Sequence, residues 1–367
     1  MAEDERQAAV EPTAEPLYEP IGGGWTDRPQ DEEDDAGWSP PPEGAASAAF
    51  SQAAGDWLRT IRTVRFWVYT VVFLFGTWMA AAAFIEAATA GAGPGPAENR
   101  LWTYLAASAF MPAAASLLAA HWGLLGIRPS PGQQAASLPE HRVLADFLAT
   151  VARGVVFAAL ALVLLLVQAG TAGASEAIAG VSAGVIVLEF VVFGAIGAGV
   201  SAWLGRPVWA GIAGWTVAGA LVVGNVGAVW ALLPAVRTED PVSVVLNIDR
   251  GTDGSPVAYE CSPEVAGTAE VFHTERIVWL AAANPVVMFV MLAAEAVPSG
   301  EVPDWIPATL QEAADGTTVP CANAVPRTKD AAQVPLGLIG LAMQGGLAGS
   351  FLAGGQLAVR RRLRSAG

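Results

Sequence analysis

The sequence is poor in charge, in lysine, in histidine and in cysteine. Charged residues make up 14% of its 367 positions, whereas hydrophobic residues make up 53%. Soluble domains carry about 25% charged residues, and a soluble chain this apolar would expose large patches that aggregate. The low charge therefore excludes an ordinary soluble domain and indicates an integral membrane protein, whose apolar surface is covered by lipid.

The residues that most catalytic and metal sites need are also scarce. The one lysine, Lys329, is followed by Asp330, so no P-loop can form around it. Three histidines, His121, His141 and His273, lie far apart without the ligand spacing of a zinc site. No Gly-x-Ser-x-Gly sequence falls on a strand-to-helix turn. We expect a chain that is not an enzyme and that uses neither a cofactor nor a metal.

Residues 1–55 differ in composition from the rest of the chain. They are rich in Pro, Glu, Asp, Gly and Ala, and they carry most of the formal net charge of −15. Such a segment buries too little apolar surface to offset the entropy lost on ordering. We predict a disordered acidic tail over 1–55. An amphipathic interfacial helix is predicted over 56–65, where Trp57, Ile61 and Val64 recur at helical spacing beside arginines.

Long apolar stretches fill most of the remaining sequence. A helix that crosses a bilayer needs about 20 mainly apolar residues. Six stretches qualify, at 66–90, 101–123, 144–167, 181–204, 208–233 and 334–359. A seventh stretch, 277–297, contains Asn284 and Pro285, and proline breaks a helix because it lacks an N–H donor and clashes with the preceding turn.

Arginine placement decides whether the seventh stretch crosses the membrane. Arginines collect at the cytoplasmic ends of spans. They precede the first span and fill the tail 360–367 after the last one, so both termini are predicted to be cytoplasmic and the number of spans even. We therefore predict an all-α cell-membrane protein with transmembrane helices 1–5 in 66–235 and helix 6 in 334–359. A small extracytoplasmic loop region, 236–333, would contain short strand-like pieces at 242–248 and 257–259 and a re-entrant helical hairpin at 277–297.

Two residue pairs are candidates for specific contacts. Cys261 and Cys321 fall on the same side of the membrane in this topology, and we predict a disulfide between them, with free thiols as the alternative. Ionisable residues inside spans are costly unless they are paired. Arg153 in the third span and Glu189 in the fourth are therefore predicted to form a structural ion pair, with a transport role as the alternative.

Two stretches carry a more specific pattern. The first, 191–237, has Gly197, Gly199, Ser201, Arg206 and Gly224. The second, 273–298, has Arg276, Trp279, Asn284, Pro285 and Pro298. Together they resemble type 2 ABC transporter permeases, especially actinobacterial ABC exporters. The segment 124–143 lacks the Gly-Glu-Arg-x-x-Gly-Thr-Leu-like stretch that such permeases commonly carry between spans two and three.

The resemblance implies six spans, cytoplasmic termini, re-entrant helices before the last span and a dimeric pore energised by a separate ATP-binding subunit. The leading hypothesis is the permease subunit of an ABC exporter, paired with an identical or a second permease in the lipid bilayer. We expect no nucleic-acid partner. The alternatives are a non-transporting structural or assembly membrane protein, and a secondary transporter, for which the spans carry few buried charges.

Overall fold

The structure is a computed structural model that describes most of the chain. The described residues are 44–90, 95–126, 141–250, 256–297, 305–316, 321–322, 325–326 and 334–366. The predicted tail up to residue 43 and the segment 127–140 between the second and third spans lie outside them, as do Pro298 and Lys329.

Six helices of the described chain are long and apolar enough to cross a bilayer, which confirms the predicted all-α, multi-pass membrane protein. They are α2 (Val64–Ala88), α3 (Pro96–Gly126), α4 (Arg142–Ala172), α5 (Glu176–Leu204), the pair α6 (Pro207–Gly219) and α7 (Asn225–Leu232), and α10 (Leu336–Ala366). A π-helix, Ala220–Gly224, joins α6 to α7, and a 3-10 helix, Leu233–Val236, ends this fifth span. The fifth span is therefore one apolar stretch with an irregular centre.

Helix α5 lies at the centre of the bundle and packs against α3, α4 and α10. Its glycines permit this position. A Cβ added at Gly197 would lie 2.8 Å from the carbonyl oxygen of Ala120 and 3.1 Å from the Cα of Gly123, both on α3. On its other side, Gly199 abuts the carbonyl of Phe351 on α10. Small residues thus let three backbones approach one another closely, as is common between membrane helices.

A further helix, α1 (Ala45–Ile61), precedes the first span. The composition predicted a disordered tail up to residue 55 and a helix only over 56–65, whereas the helix already begins at Ala45. Ala49 and Ala53 are buried against Ala145 and Ala149 of α4. Alanine is the best helix former, and its small side chain lets α1 pack closely on the bundle. An alanine-rich composition therefore predicted disorder where a docked helix forms.

A β-sheet follows the fifth span. Strands β1 (Arg237–Arg250) and β2 (Pro256–Phe272) form a long antiparallel hairpin, to which the short strands β3 (Cys321–Ala322) and β4 (Val325–Pro326) are added in the order β2-β1-β3-β4. Cys261 and Cys321 are joined in a disulfide, as predicted. This bond connects the hairpin to the short strands that precede α10. We call this end of the bundle the sheet end, and the opposite end, with α1 and the C-terminus of α10, the tail end.

The stretch between the hairpin and α10 is divided into short helices. Two 3-10 helices, Thr274–Arg276 and Val278–Ala283, are followed by α8 (Pro285–Ala296) and then by α9 (Trp305–Asp315). Helix α8 has 12 residues, so it is about 18 Å long and too short to cross a hydrocarbon core of about 30 Å. The helix break lies at Asn284 and Pro285, where the sequence places it.

Candidate functional site: a buried polar core beside a broken helix

The centre of the bundle contains a fully buried carboxyl group. Glu189 of α5 is 0% exposed. Its Oε1 lies 3.0 Å from Nε2 of Gln344 on α10, and its Oε2 lies 3.1 Å from Oγ of Ser116 on α3. Three helices therefore meet through the side chain of one residue. A buried polar group needs such partners, because water is not available to replace them.

Gln344 carries the contact onward to the broken helix. Its Nε2 donates to Glu189 and also to the carbonyl oxygen of Ala283, 3.0 Å away, which is the last residue of the 3-10 helix before the break. A carbonyl only accepts, so this contact fixes the amide orientation. Both amide protons are then used. The Oε1 of Gln344 is buried and has no hydrogen-bond partner among the described residues.

Ser182 compensates for a proline inside α3, and Ser116 lies one turn after that proline. Pro112 has no N–H, so the carbonyl of Ser108 loses its helical partner. Oγ of Ser182 on α5 donates to that carbonyl at 2.8 Å. Oγ of Ser116 lies 2.9 Å from the carbonyl oxygen of Pro112 as well as near Glu189. A hydroxyl has one proton. When Ser116 donates this proton to the carbonyl of Pro112, it has none left for Glu189. The contact between Ser116 and Glu189 is then a hydrogen bond only if the Glu189 carboxyl carries a proton and donates it.

Asn284 joins the broken helix to the irregular centre of the fifth span. Its Oδ1 accepts from the backbone N–H groups of Val286 and Val287, which caps the N-terminus of α8. Its Nδ2 donates to the carbonyl of Val222 at 2.7 Å and lies 3.1 Å from Oδ1 of Asn225. Val222 belongs to the π-helix, whose altered hydrogen-bond register leaves carbonyls for other donors. One side chain thus stabilises two interrupted helices.

Arg153 has other partners than the predicted one. Its Nη2 donates to Oγ1 of Thr60 on α1 at 2.9 Å. The structure describes both Arg153 and Glu189, and no ion pair joins the two. The predicted Arg153–Glu189 pair is therefore wrong. Successive helical side chains point about 100° apart. Gly154 and Phe190 fill the α4–α5 contact, so their neighbours Arg153 and Glu189 point towards α1 and towards α3 and α10 instead.

Arg153 belongs to a polar cluster at the tail end. Arg142 of α4 pairs with Asp146 one turn later at 3.3 Å and approaches Asp56 of α1 at 4.0 Å. With the bond from Arg153 to Thr60, these contacts attach α1 to α4 at two levels. Partly buried ion pairs are screened less by salt than exposed ones. The tail end therefore has a polar connection between a surface helix and the core bundle.

A second polar junction lies at the sheet end. Nε2 of His273 is 3.1 Å from Oδ2 of Asp240 on β1, and its Nδ1 is 2.8 Å from Oε1 of Glu275 in the following 3-10 turn. In the protonated form, both ring nitrogens donate. Thr274 donates to the carbonyl of Ala313 at the end of α9. These bonds hold the hairpin against the start of the broken segment.

Sequence reasoning identified part of this arrangement. Asn284, Pro285 and Glu189 were candidates, and the structure brings Asn284 and Glu189 to the same polar core through Ala283 and Gln344. Ser116 and Gln344 were missed, because mainly ionisable residues were considered as candidates inside the spans. The signal was present, since Gln344 is an amide within the stretch 336–349 of α10, whose other residues are all apolar or small. Among the described residues, no group of three or more His, Cys, Asp or Glu side chains is arranged to hold a metal.

Comparisons with known proteins return no relative. No family model, no curated protein and no solved structure matches the chain.

Proposed function

We propose that this chain is the membrane-spanning subunit of an ABC exporter, energised by a separate ATP-binding subunit. The proposal rests on the likeness of 191–237 and 273–298 to type 2 permeases and on the geometry of the broken segment. Single-sequence likeness is an argument by analogy. The contacts of Asn284 and Gln344 add a physical argument for the architecture that such a subunit requires.

The observation that carries the proposal is that the chain on both sides of the segment 278–296 is bonded to the hairpin of β1 and β2. The start of the segment is bonded to the hairpin through His273. The chain after it reaches Cys321, which is bonded to Cys261 of the same hairpin. Ala283 contacts Gln344, eight residues into α10, which is about 12 Å along that helix. These contacts support a re-entrant segment that enters from the sheet end to this depth and returns, which would keep the number of crossings even.

An even number of crossings puts α1 and the end of α10 on one side. Exposed arginines are abundant there, including Arg59, Arg62, Arg65, Arg361 and Arg364. By the positive-inside rule this side is the cytoplasm. The tail end is then where an ATP-binding partner would act. Helix α1 would transmit the movement of the ATP-binding partner to the bundle, because Asp56 and Thr60 attach α1 to α4.

The exposed faces of two spans favour assembly with a second permease. In the apolar stretch of α2 only 17% of the residues are buried within this chain, and in that of the fifth span only 11% are. The fifth span presents large apolar side chains outward, among them Trp209, Val223 and Trp230. Such faces pack against lipid or against another membrane helix. A substrate path between two copies would then be lined by these spans.

Co-purification tests the proposal directly. The full chain is isolated from native membranes in mild detergent, and the eluate is assayed for ATP hydrolysis and for a subunit with a P-loop. We expect both. Leu58→Ser on the exposed face of α1 should reduce recovery of the ATPase, whereas Trp305→Ser at the sheet end should not, although both side chains are exposed. Recovery of the chain without any ATPase would favour the structural or assembly alternative.

Topology is tested separately. Reporters fused after Gly367 and before Ala45 should both report the cytoplasm, and an impermeant thiol reagent should label Cys261 and Cys321 together after reduction in intact cells. Labelling of only one cysteine, or an extracytoplasmic report from the C-terminus, would exclude the re-entrant segment and the exporter architecture with it.

A further inference from the structure

The turn between α5 and α6 carries positive charge without a negative partner. Arg206 is the last residue before α6 and is exposed. Among the described residues its side chain has no ion pair. The sequence contains no Asp or Glu between Glu189 and Glu239 or after Asp330, so neither the turn nor α10 can supply a counter-charge. The guanidinium group of Arg206 is therefore available to an anion from outside the chain.

A second guanidinium group is held on the same turn by α10. Nη1 and Nη2 of Arg362 donate to the carbonyl oxygens of Ala202 and Trp203, at 3.0 and 2.6 Å, where α5 ends. Gly205 makes room for them, since an added Cβ there would lie 2.8 Å from Nη1. An arginine has five N–H donors, and these bonds use two of them. The remaining donors belong to an exposed side chain that is fixed against Gly205, the residue next to Arg206.

Large apolar side chains surround the two arginines. Trp203 and Trp209 are 55% and 58% exposed, on either side of the turn. Val208, Ile212 and Trp215 are also exposed, and their spacing of four and three residues places them on one face of α6. This face belongs to an apolar helix long enough to span the membrane, so lipid and not water covers it. Tryptophan and arginine together are typical of the level of the lipid headgroups.

We propose that the α5–α6 turn binds an anionic phospholipid, whose phosphate accepts from Arg206 and Arg362 and whose acyl chains lie along Val208, Ile212 and Trp215. Guanidinium groups bind phosphate oxygens through pairs of hydrogen bonds. A zwitterionic phospholipid has the same phosphate but also an ammonium group, which the two arginines repel, so it binds less well. The inference does not depend on an ATPase partner, because only this chain and the lipid take part.

Photolabelling of the full chain in lipid nanodiscs, without any other subunit, tests the site. The probes are phosphatidylglycerol and phosphatidylcholine with the same diazirine-bearing acyl chain, and labelled peptides are identified by mass spectrometry. We expect phosphatidylglycerol to label the segment 207–215 about fivefold more than phosphatidylcholine does, which is the factor that one arginine near an anionic lipid surface implies. Equal labelling of this segment by the two lipids would overturn the proposal and would leave the turn to a protein partner instead.

A matched pair of arginines provides the control. Arg62 is exposed at the same end of the bundle, and neither Arg62 nor Arg206 has an ion pair among the described residues. Arg206→Gln should abolish the preference for phosphatidylglycerol at 207–215, whereas Arg62→Gln, which removes the same charge, should leave it intact. An equal loss in both variants would show a general attraction of the tail end for anionic lipid and would overturn the site. A preference that persists in Arg206→Gln would overturn it as well.

Discussion

Helix α5 and the fifth span are both apolar and of similar length, yet they occupy opposite situations. In the apolar stretch of each span, 72% of the α5 residues are buried inside the protein, compared with 11% of the residues of the fifth span. Glycines occur in both. Those of α5 at 194, 197 and 199 touch neighbouring helices, whereas Gly211, Gly219 and Gly227 of the fifth span face open space. Hydropathy thus identifies a span, while the contacts of its small and polar residues determine whether it is central or peripheral.

The largest difference in stability between variants of the two spans should come from adding one methyl group to each. Gly197→Ala places a Cβ 2.8 Å from a backbone carbonyl that cannot move away, so we expect a loss of about 1–3 kcal/mol of stability. Gly211→Ala meets nothing within 4 Å and should be neutral or stabilising by up to about 1 kcal/mol, since alanine favours helix. Thermal unfolding followed by tryptophan fluorescence measures both. Equal effects would mean that the two spans are equally packed.

The next test replaces the polar residue of α5. Glu189→Leu leaves one proton of the Gln344 amide without an acceptor, and we expect a loss of about 1–3 kcal/mol. Glu189→Gln should be much closer to wild type, since its amide oxygen accepts from Gln344 and its NH₂ donates to Ser116. The same unfolding assay checks the pair. A leucine variant as stable as the wild type would show that the polar core contributes no stability.

The polar residue of the fifth span should contribute less. Asn225 and Asn284 are 3.1 Å apart, and a double-mutant cycle with Asn225→Ala and Asn284→Ala should give a coupling of about 0.6 kcal/mol, the average for such bonds in membranes. Asn284→Ala alone should cost about 1 kcal/mol more than Asn225→Ala, because it also removes the cap of α8. Additive effects of the two substitutions would argue against the bond between them.

The smallest effect is expected on the outer face of the fifth span. Val223 is 69% exposed, and Val223→Ala should change the stability of the isolated chain by less than about 0.5 kcal/mol. If a second permease covers this face, the same substitution should weaken the dimer, which crosslinking from Val223→Cys would detect. A substantial loss of stability in the monomer would mean that α6 and α7 are more central than they are in the structure.

The sequence predicted the spans better than the contacts between them. Stretches of about 20 apolar residues locate six helices, and Asn284 with Pro285 locates the helix break, because both signals are local. The Arg153–Glu189 pair failed because it was inferred from depth alone. Which way each side chain points depends on how Gly154 and Phe190 fill the contact between α4 and α5, and this is a property of the assembled bundle.

Composition did not predict the secondary structure at either end of the bundle correctly. The alanines of 45–55 were grouped with an acidic tail, although Ala49 and Ala53 pack on α4. The polar region after the fifth span was predicted as a loop region with short strand-like pieces, but it forms strands of 14 and 17 residues, whose register only the partner strand can set. Gln344 and Ser116 were overlooked since neutral polar residues are frequent in spans, and only their convergence on Glu189 distinguishes them.

The proline in α3 has a consequence for the order in which the protein assembles. Pro112 leaves the Ser108 carbonyl without its own helical donor, and the replacement comes from Ser182 in α5, a helix made two spans later. While α3 enters the bilayer, the donor that covers this carbonyl in the folded protein has not yet been synthesised. A truncation between the two helices should therefore leave α3 less stably inserted than it is in the full chain.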